Sequence, residues 1–322
     1  GDNHIETLVQ TMSARTGGGL FVTETNSVII DKLAQFTANR VNSEGSALVV
    51  EATTDAAQED LIVDGGDLVL QTKDGFVSVD GGDDTKGISA TGNILLQSQE
   101  GVEDTSADIT IKALTSSSGG SISLISADSI SQTFSDNEDD TLDEQGDIRV
   151  SAGTGTIELY AADSISMADG TLTQTVAGNI RLESGSFIAL SEIRAESEKG
   201  DQTISLVAGT YIIDNDSSDG VDLTAGNLRI GSGANHIETR VQTVSATTSS
   251  GGLYLTETND VKVDRLAHFT ANRVAADGSA AVVAATTDSA QEDLSISGGN
   301  LVLQTEDGSI TVDGGNDTAG IS

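Results

Sequence analysis

The sequence predicts an all-β protein: a parallel β-helix, or β-solenoid, made of stacked coils. Three observations predict it. The chain repeats itself over a long interval, a finer pattern of alternating strands recurs inside that interval, and the composition lacks Cys, Pro and Trp. The long repeat is read first. HIETLVQT at 4–11 returns as HIETRVQT at 236–243, and VDGGDDTKGIS at 79–89 returns as VDGGNDTAGIS at 312–322. About two-thirds of the aligned positions are identical, a self-similarity with a unit of about 233 residues. Residues 1–233 are expected to form one complete unit, and 234–322 the start of the next, equivalent to 1–89. Together they would form one continuous solenoid, a window on a longer repetitive protein.

The finer pattern is a turn ending in Gly, followed by an alternating strand. It reads GDLVLQT (66–72), GNILLQS (92–98), GSISLIS (120–126), GDIRVSA (146–152), GNIRLES (178–184), GNLRIGS (226–232) and GNLVLQT (299–305). Looser versions are GLFVTET (19–25), GSALVVEA (45–52), DQTISLVA (201–208), GLYLTET (252–258) and GSAAVVA (278–284). Starts recur roughly every 26 residues, which places roughly nine coils in each long unit. Alternation assigns the faces, because neighbouring side chains on a strand point oppositely. The inward residues are expected to be Ile94, Leu96, Ile122, Leu124, Ile148, Val150, Ile180, Leu182, Leu228 and Ile230. Arg149, Arg181 and Arg229 stand between such pairs and are expected to face solvent.

The remaining elements follow in order. Short apolar pairs, Leu61 with Val63, Ile109 with Ile111, Ile157 with Leu159, Ile165 with Met167 and Ile310 with Val312, read as further strands. Asp, Gly, Ser, Thr and Asn between them read as turns. Asn93, Asn179, Asn227 and Asn300 follow the coil glycines, where they would either stack as an amide ladder or serve as turn residues. The segment 30–41 and its copy 263–274 depart from the pattern. They predict a short helix or a lateral loop, with Leu33, Phe36, Leu266 and Phe269 plugging the core. A module of this size cannot bury its apolar face alone, but stacked modules can. A β-sandwich array is the rival architecture, and the short period argues against it.

Composition narrows the function. The chain has 15 basic and 51 acidic residues, for a net charge of -36. Nucleic acid and anionic membrane are therefore poor partners. Without Cys there is no disulfide scaffold. Absent Pro suits strands paired on both edges. No apolar run is long enough to span a bilayer as a helix.

Catalytic motifs are absent, and His4, His236 and His268 read as structural. No catalytic residue and no cofactor are expected. Calcium is the one ligand the residues suggest, because it takes several carboxylate and carbonyl oxygens from flexible loops. The acidic stretches are DGGDD (80–84), DNEDD (136–140) and DNDSSDGVD (214–222). They offer Asp80, Asp83, Asp84, Asp214, Asp216 and Asp219. None matches a calcium-loop signature, and solvated acidic turns are the simpler reading.

The stretches 178–190, 146–165 and 120–130 resemble the haemagglutinin-type repeats of large bacterial surface adhesins, of which filamentous haemagglutinin is the type. That resemblance implies a right-handed parallel β-helix in a secreted or surface-anchored protein, exported through a two-partner or related pathway. It brings no catalytic site. The long unit, so well kept between copies, departs from the family pattern. The expected function is structural: a stiff spacer in a giant extracellular fibre or adhesin stalk, whose partners are further copies of the repeat, neighbouring filaments or cell-surface glycans. The alternatives are a ligand- or calcium-binding adhesive module and a β-helix glycan lyase or hydrolase.

Overall fold

The computed structural model describes residues 4–102, 106–134, 145–196, 200–217, 220–316 and 319–322. Among these, every regular element is a β-strand. Two large sheets, of 13 and 19 strands, hold nearly all of them. Their pairings are parallel throughout, which fits a β-solenoid. Only two small antiparallel hairpins stand outside these sheets.

The first sheet shows why the alternating pattern folds this way. Its successive strands include Leu20–Glu24, Leu68–Thr72, Ile94–Ser98, Ile122–Ser126, Ile157–Ala161, Ile180–Ser184, Thr203–Ala208 and Asn227–Ile230. Like sits on like. Ile94 pairs with Ile122, which pairs with Ile157, then Ile180, Ile204 and Leu228. Two residues further on, Leu96, Leu124, Leu159, Leu182, Leu206 and Ile230 make a second inward column. The ten residues assigned inward from sequence are all buried, and they share one core cluster that runs from Val22 to Leu294. A core this thin is filled by Ile, Leu and Val because each layer touches only its neighbours. The position two residues past the second inward column carries small residues: Thr72, Ser98, Ser126, Ala161, Ser184 and Ala208.

The second sheet comprises two stacks of short strands. One runs through Val77–Val79, Ile109–Ile111, Ile130–Gln132 and Ile165–Met167. The other runs through Leu61–Val63, Lys86–Ala90, Leu114–Ser117 and Ile148–Val150. The long strand Gly233–Arg240 joins the two. Its first half pairs with Tyr211–Asp214 and its second half with Leu223–Ala225.

At that strand the two copies exchange faces. In the first copy, Leu20–Glu24 lies in the first sheet while Val28–Ile30 and Leu61–Val63 lie in the second. In the second copy, the equivalent Leu253–Glu257 joins the second sheet, while Val261–Val263 and Leu294–Ile296 both stack on Thr243–Thr248 of the first. The second unit is thus turned about the axis relative to the first.

Four expectations need correction. GDIRVSA is not the register equivalent of GNIRLES: Ile148–Val150 lies in the second sheet, and Ile157–Ala161 fills that layer of the first. Register follows the inward column above and below, and the Gly before a strand does not set it. GSALVVEA and GSAAVVA are not coil strands. They belong to Ala47–Asp55 and Ala280–Asp288, which pair antiparallel with Phe36–Val41 and Phe269–Val274. The departing segment is therefore a lateral β-hairpin, not a helix or a loop, and its aromatic residues stay out of the central core. Phe36 is 63% exposed, while Phe269 is 4% exposed but stands outside the central core cluster. Lastly, Asn93 and Asn179 do not stack into a ladder. Their Oδ1 atoms accept the backbone N–H of Ser121 (2.8 Å) and Thr203 (3.0 Å) in the next layer.

Candidate functional site

The most elaborate polar constellation lies on the outer face of the first sheet, beneath the hairpin Phe269–Asp288. The residues between the two inward columns form an outward column: Val69, Leu95, Ser123, Glu158, Arg181, Ser205 and Arg229. The hairpin lies across this column and folds back toward the start of the chain.

Its contacts can be followed from root to tip. The Asp288 carboxylate accepts two hydrogen bonds from the Arg181 guanidinium, at 3.0 and 3.2 Å, and one from Ser205 Oγ at 2.6 Å. Arg229 stands 3.6 Å away. Asn179 Nδ2 donates to the Thr270 carbonyl (2.9 Å). Asn272 N donates to Thr156 Oγ1 (2.8 Å), and Val274 N to Ser123 Oγ (2.9 Å). Arg273 donates to both oxygens of Glu158, with Nε at 2.9 Å, and its guanidinium lies 5.6 Å from the Tyr160 ring centroid. Val274 packs on Val69 and Leu95. At the tip, Asn93 Nδ2 donates to the Gly278 carbonyl (2.9 Å), and His4 Nε2 meets the Ala276 carbonyl (2.8 Å).

The tip needs its glycine. Gly278 has φ +82, and a Cβ there would come 2.9 Å from Asp67 and 3.1 Å from Phe21. Both the left-handed backbone and the close approach exclude a side chain.

Charge is matched crosswise in this interface. The face offers Glu158 and Arg181, and the hairpin brings Arg273 and Asp288. Glu158 is fully buried and Arg181 is 4% exposed, so the expectation that Arg181 faces solvent is overturned. Burial pushes Glu158 above the usual carboxylate range, against the opposing pull of Arg273. Burial also acts on Asp288, but the hydrogen bonds from Arg181 and Ser205 outweigh it and hold that group below its ordinary value. Buried pairs of this kind are worth keeping only when both partners are present and their hydrogen bonds are filled.

A second constellation sits where the two units join. Asp214, Asp222 and Glu238 bring carboxylate oxygens within 4.8 Å of one another. The topology causes this: the strands ending at Asp214 and following Asp222 pair with the two halves of the strand that carries Glu238. Glu238 N donates to Asp222 Oδ2 (2.8 Å), whereas Asp222 Oδ1 has no hydrogen-bond partner among the described residues. Burial pushes Asp222 up to about 8, with the charges of Asp214 and Glu238 adding. Burial likewise pushes Asp60 up to about 7, with Asp84 and Glu59 adding.

Of the suggested calcium ligands among the described residues, only Asp214 joins a carboxylate cluster. Asp216 N caps Asp214 Oδ1 at 2.6 Å. Asp80 pairs with Lys112 at 3.1 Å, and Asp83 pairs with Lys32. Asp84 accepts the Lys86 N–H at 2.7 Å. These three brace a turn through Gly81 and Gly82 (φ +80 and +66) and do not converge on a point. Asp219 and the stretch 136–140 lie outside the described residues.

Both constellations escaped the sequence reading, which found neither the pairing of Asp288 with Arg181 nor that of Asp222 with Glu238. A signal for the hairpin was nonetheless present. FTANRV stands unchanged in both copies, and GS with a second alternating run follows a short acidic turn, a hairpin signature.

The raised carboxyls set a pH dependence. A folded pKa above the unfolded value of 3.8 means that stability is full below about pH 4 and falls as pH rises through about 7 to 8. The melting temperature is expected to drop between pH 5 and pH 8 in the presence of a chelator. Asp222→Asn, which cannot ionise, is expected to melt higher than the parent at pH 8.5 and to approach it only below the unfolded carboxyl pKa of 3.8. Equal melting of the two at pH 8.5 would contradict the assigned burial.

The chain matches no family model, no curated protein and no solved structure.

Proposed function

We propose that this chain is a structural segment of a giant repetitive extracellular fibre or adhesin stalk. It acts as a stiff, soluble spacer, and its role is mechanical rather than catalytic. Right-handed coils of about 26 residues, nine to the long unit, stack at a rise of about 4.8 Å along the fibre. The observation that carries this reading is the unbroken parallel register of the first sheet, with Ile or Leu stacked on Ile or Leu in both inward columns from Leu68 to Ile230. Every interior strand is paired on both edges, so none is left as an open edge that would recruit stray strands. The hairpin adds strands laid across the stack, tying layers that otherwise touch only their neighbours. The high negative charge keeps a long rod soluble and discourages lateral clumping. The resemblance to haemagglutinin-type repeats supports the extracellular, bacterial setting. Among the described residues no helix is long and apolar enough to cross a membrane.

Cryo-electron microscopy of the native material tests the reading. The expected image is a continuous rod with an axial rise of about 4.8 Å. Separated globular beads would overturn it.

A cation-binding role is the second reading, favoured by the buried, unpartnered Asp222 Oδ1 beside Asp214 and Glu238. It expects calcium to raise the melting temperature of the parent and to leave Asp222→Asn unmoved. No response of the parent to millimolar calcium would remove it.

A further inference from the structure

The chain contains the same hairpin twice, and only one copy has a partner. Phe269–Asp288 is docked; Phe36–Asp55 stands free. Val274 is 1% exposed and its counterpart Val41 66%; Leu266 is 7% exposed and Leu33 40%. Ala271 is fully buried, whereas Ala38 is exposed. Yet the docking residues are the same. Thr270, Asn272, Arg273, Val274 and Asp288 correspond to Thr37, Asn39, Arg40, Val41 and Asp55. The internal pairing is also the same, down to the register shift after the second residue of the first strand. The free hairpin is thus already shaped for a surface, with the side chains of Arg40 and Asp55 making no hydrogen bond or ion pair among the described residues.

We infer that the Phe36–Asp55 hairpin docks on a second copy of this repeat unit. Its site there is the first-sheet face formed by Ser123, Thr156, Glu158, Asn179, Arg181 and Ser205. The inference rests on the fibre reading and supplies its unit-to-unit latch.

Two facts exclude this chain's own face as the target. That face is covered by Phe269–Asp288. The roots also differ: Phe36–Asp55 leaves between Val28–Ile30 and Leu61–Val63, which belong to the second sheet, while Phe269–Asp288 leaves between two strands stacked on the first. The complementary charges are in place, Arg40 for Glu158 and Asp55 for Arg181. The contact is heterologous, hairpin of one unit to face of another, and such contacts propagate into open-ended arrays. Phe269–Asp288 lies on the face of the unit before it, and the same arrangement would carry Phe36–Asp55 onto the matching face of a copy before its own.

The test uses the full chain and a tandem chain in which a copy of 1–232 precedes all 322 residues. Amide hydrogen exchange is followed in the hairpin that begins FTANRV and carries Leu48, and small-angle scattering reports the shape. In the single chain this hairpin is expected to exchange on the order of 100-fold faster than Phe269–Asp288. In the tandem chain, its second occurrence becomes as protected as Phe269–Asp288. Arg40→Glu at that occurrence restores fast exchange, and Glu158→Arg in the added copy recovers protection. A rod-shaped tandem in which the hairpin still exchanges fast overturns the latch alone. A tandem resolved as separate bodies overturns the latch and the fibre reading together. Equal protection of both hairpins in a dilute single chain also overturns the latch.

Discussion

Asp288→Ala is expected to release the Phe269–Asp288 hairpin and to leave the stacked sheets folded. The substitution removes the acceptor of two Arg181 hydrogen bonds and of one from Ser205. Arg181 would then remain buried without that partner, and breaking a buried pair from one side costs about 3–5 kcal/mol. The hairpin is anchored by a handful of polar contacts and a small apolar cluster around Val274, so a loss of that size undocks it. Hydrogen exchange over 269–288 should rise steeply, and a protease should cut near the tip, while strands such as Ile180–Ser184 keep their protection. The charge-reversed pair Arg273→Glu with Glu158→Arg gives the complementary result: each change alone frees the hairpin, and both together re-seat it, a coupling that reports direct contact. If the hairpin of Asp288→Ala remains protected, the docking geometry is wrong.

Ile180→Asp is expected to open the stack itself. Ile180 is fully buried and sits in register between Ile157 and Ile204. A carboxylate there has no partner, and the cost exceeds about 4 kcal/mol. Because each layer is held mainly by its neighbours, the damage should be local first: the strands Ile157–Ala161 and Thr203–Ala208 lose protection before distant layers do. The same substitution at Arg181, one residue on, attacks the hairpin and not the core, so the two variants separate axial stacking from lateral lashing. Unchanged thermal stability of Ile180→Asp would refute the assigned face.

The two devices resist different insults. Backbone pairing between layers runs along the axis and is regenerated at every strand. The hairpin is a covalent strand pair lying along that axis, from Ser205 and Arg181 at its root to Asn93 and His4 at its tip. Pulling the layers apart beneath it must break buried, charge-assisted contacts that salt screens poorly. The inward glutamates add a smaller lock. Glu257, buried in the second copy, accepts from Thr239 Oγ1 (2.8 Å) and Val241 N (3.0 Å), and Glu24 accepts from Thr7 and Val9 in the same way.

The periodic part of this protein is legible in its amino-acid sequence alone. Alternation over five residues fixes which side chains turn inward, and Ile94, Leu124, Ile180 and Ile230 lie where it puts them, because a strand has only two faces. The long repeat unit and the strongly negative charge are legible there too. Tertiary structure decided the rest. Whether Ile148 or Ile157 occupies a given layer depends on which column the neighbouring layers present, and both fit the local pattern equally well. That Arg181 is buried could not be read from its strand, since its cover arrives from Asp288, far along the chain. The two hairpins show the limit most plainly: the same anchoring residues are exposed in one copy and buried or half-buried in the other. What separates them is the surface each root faces, and only the stacked layers create that surface.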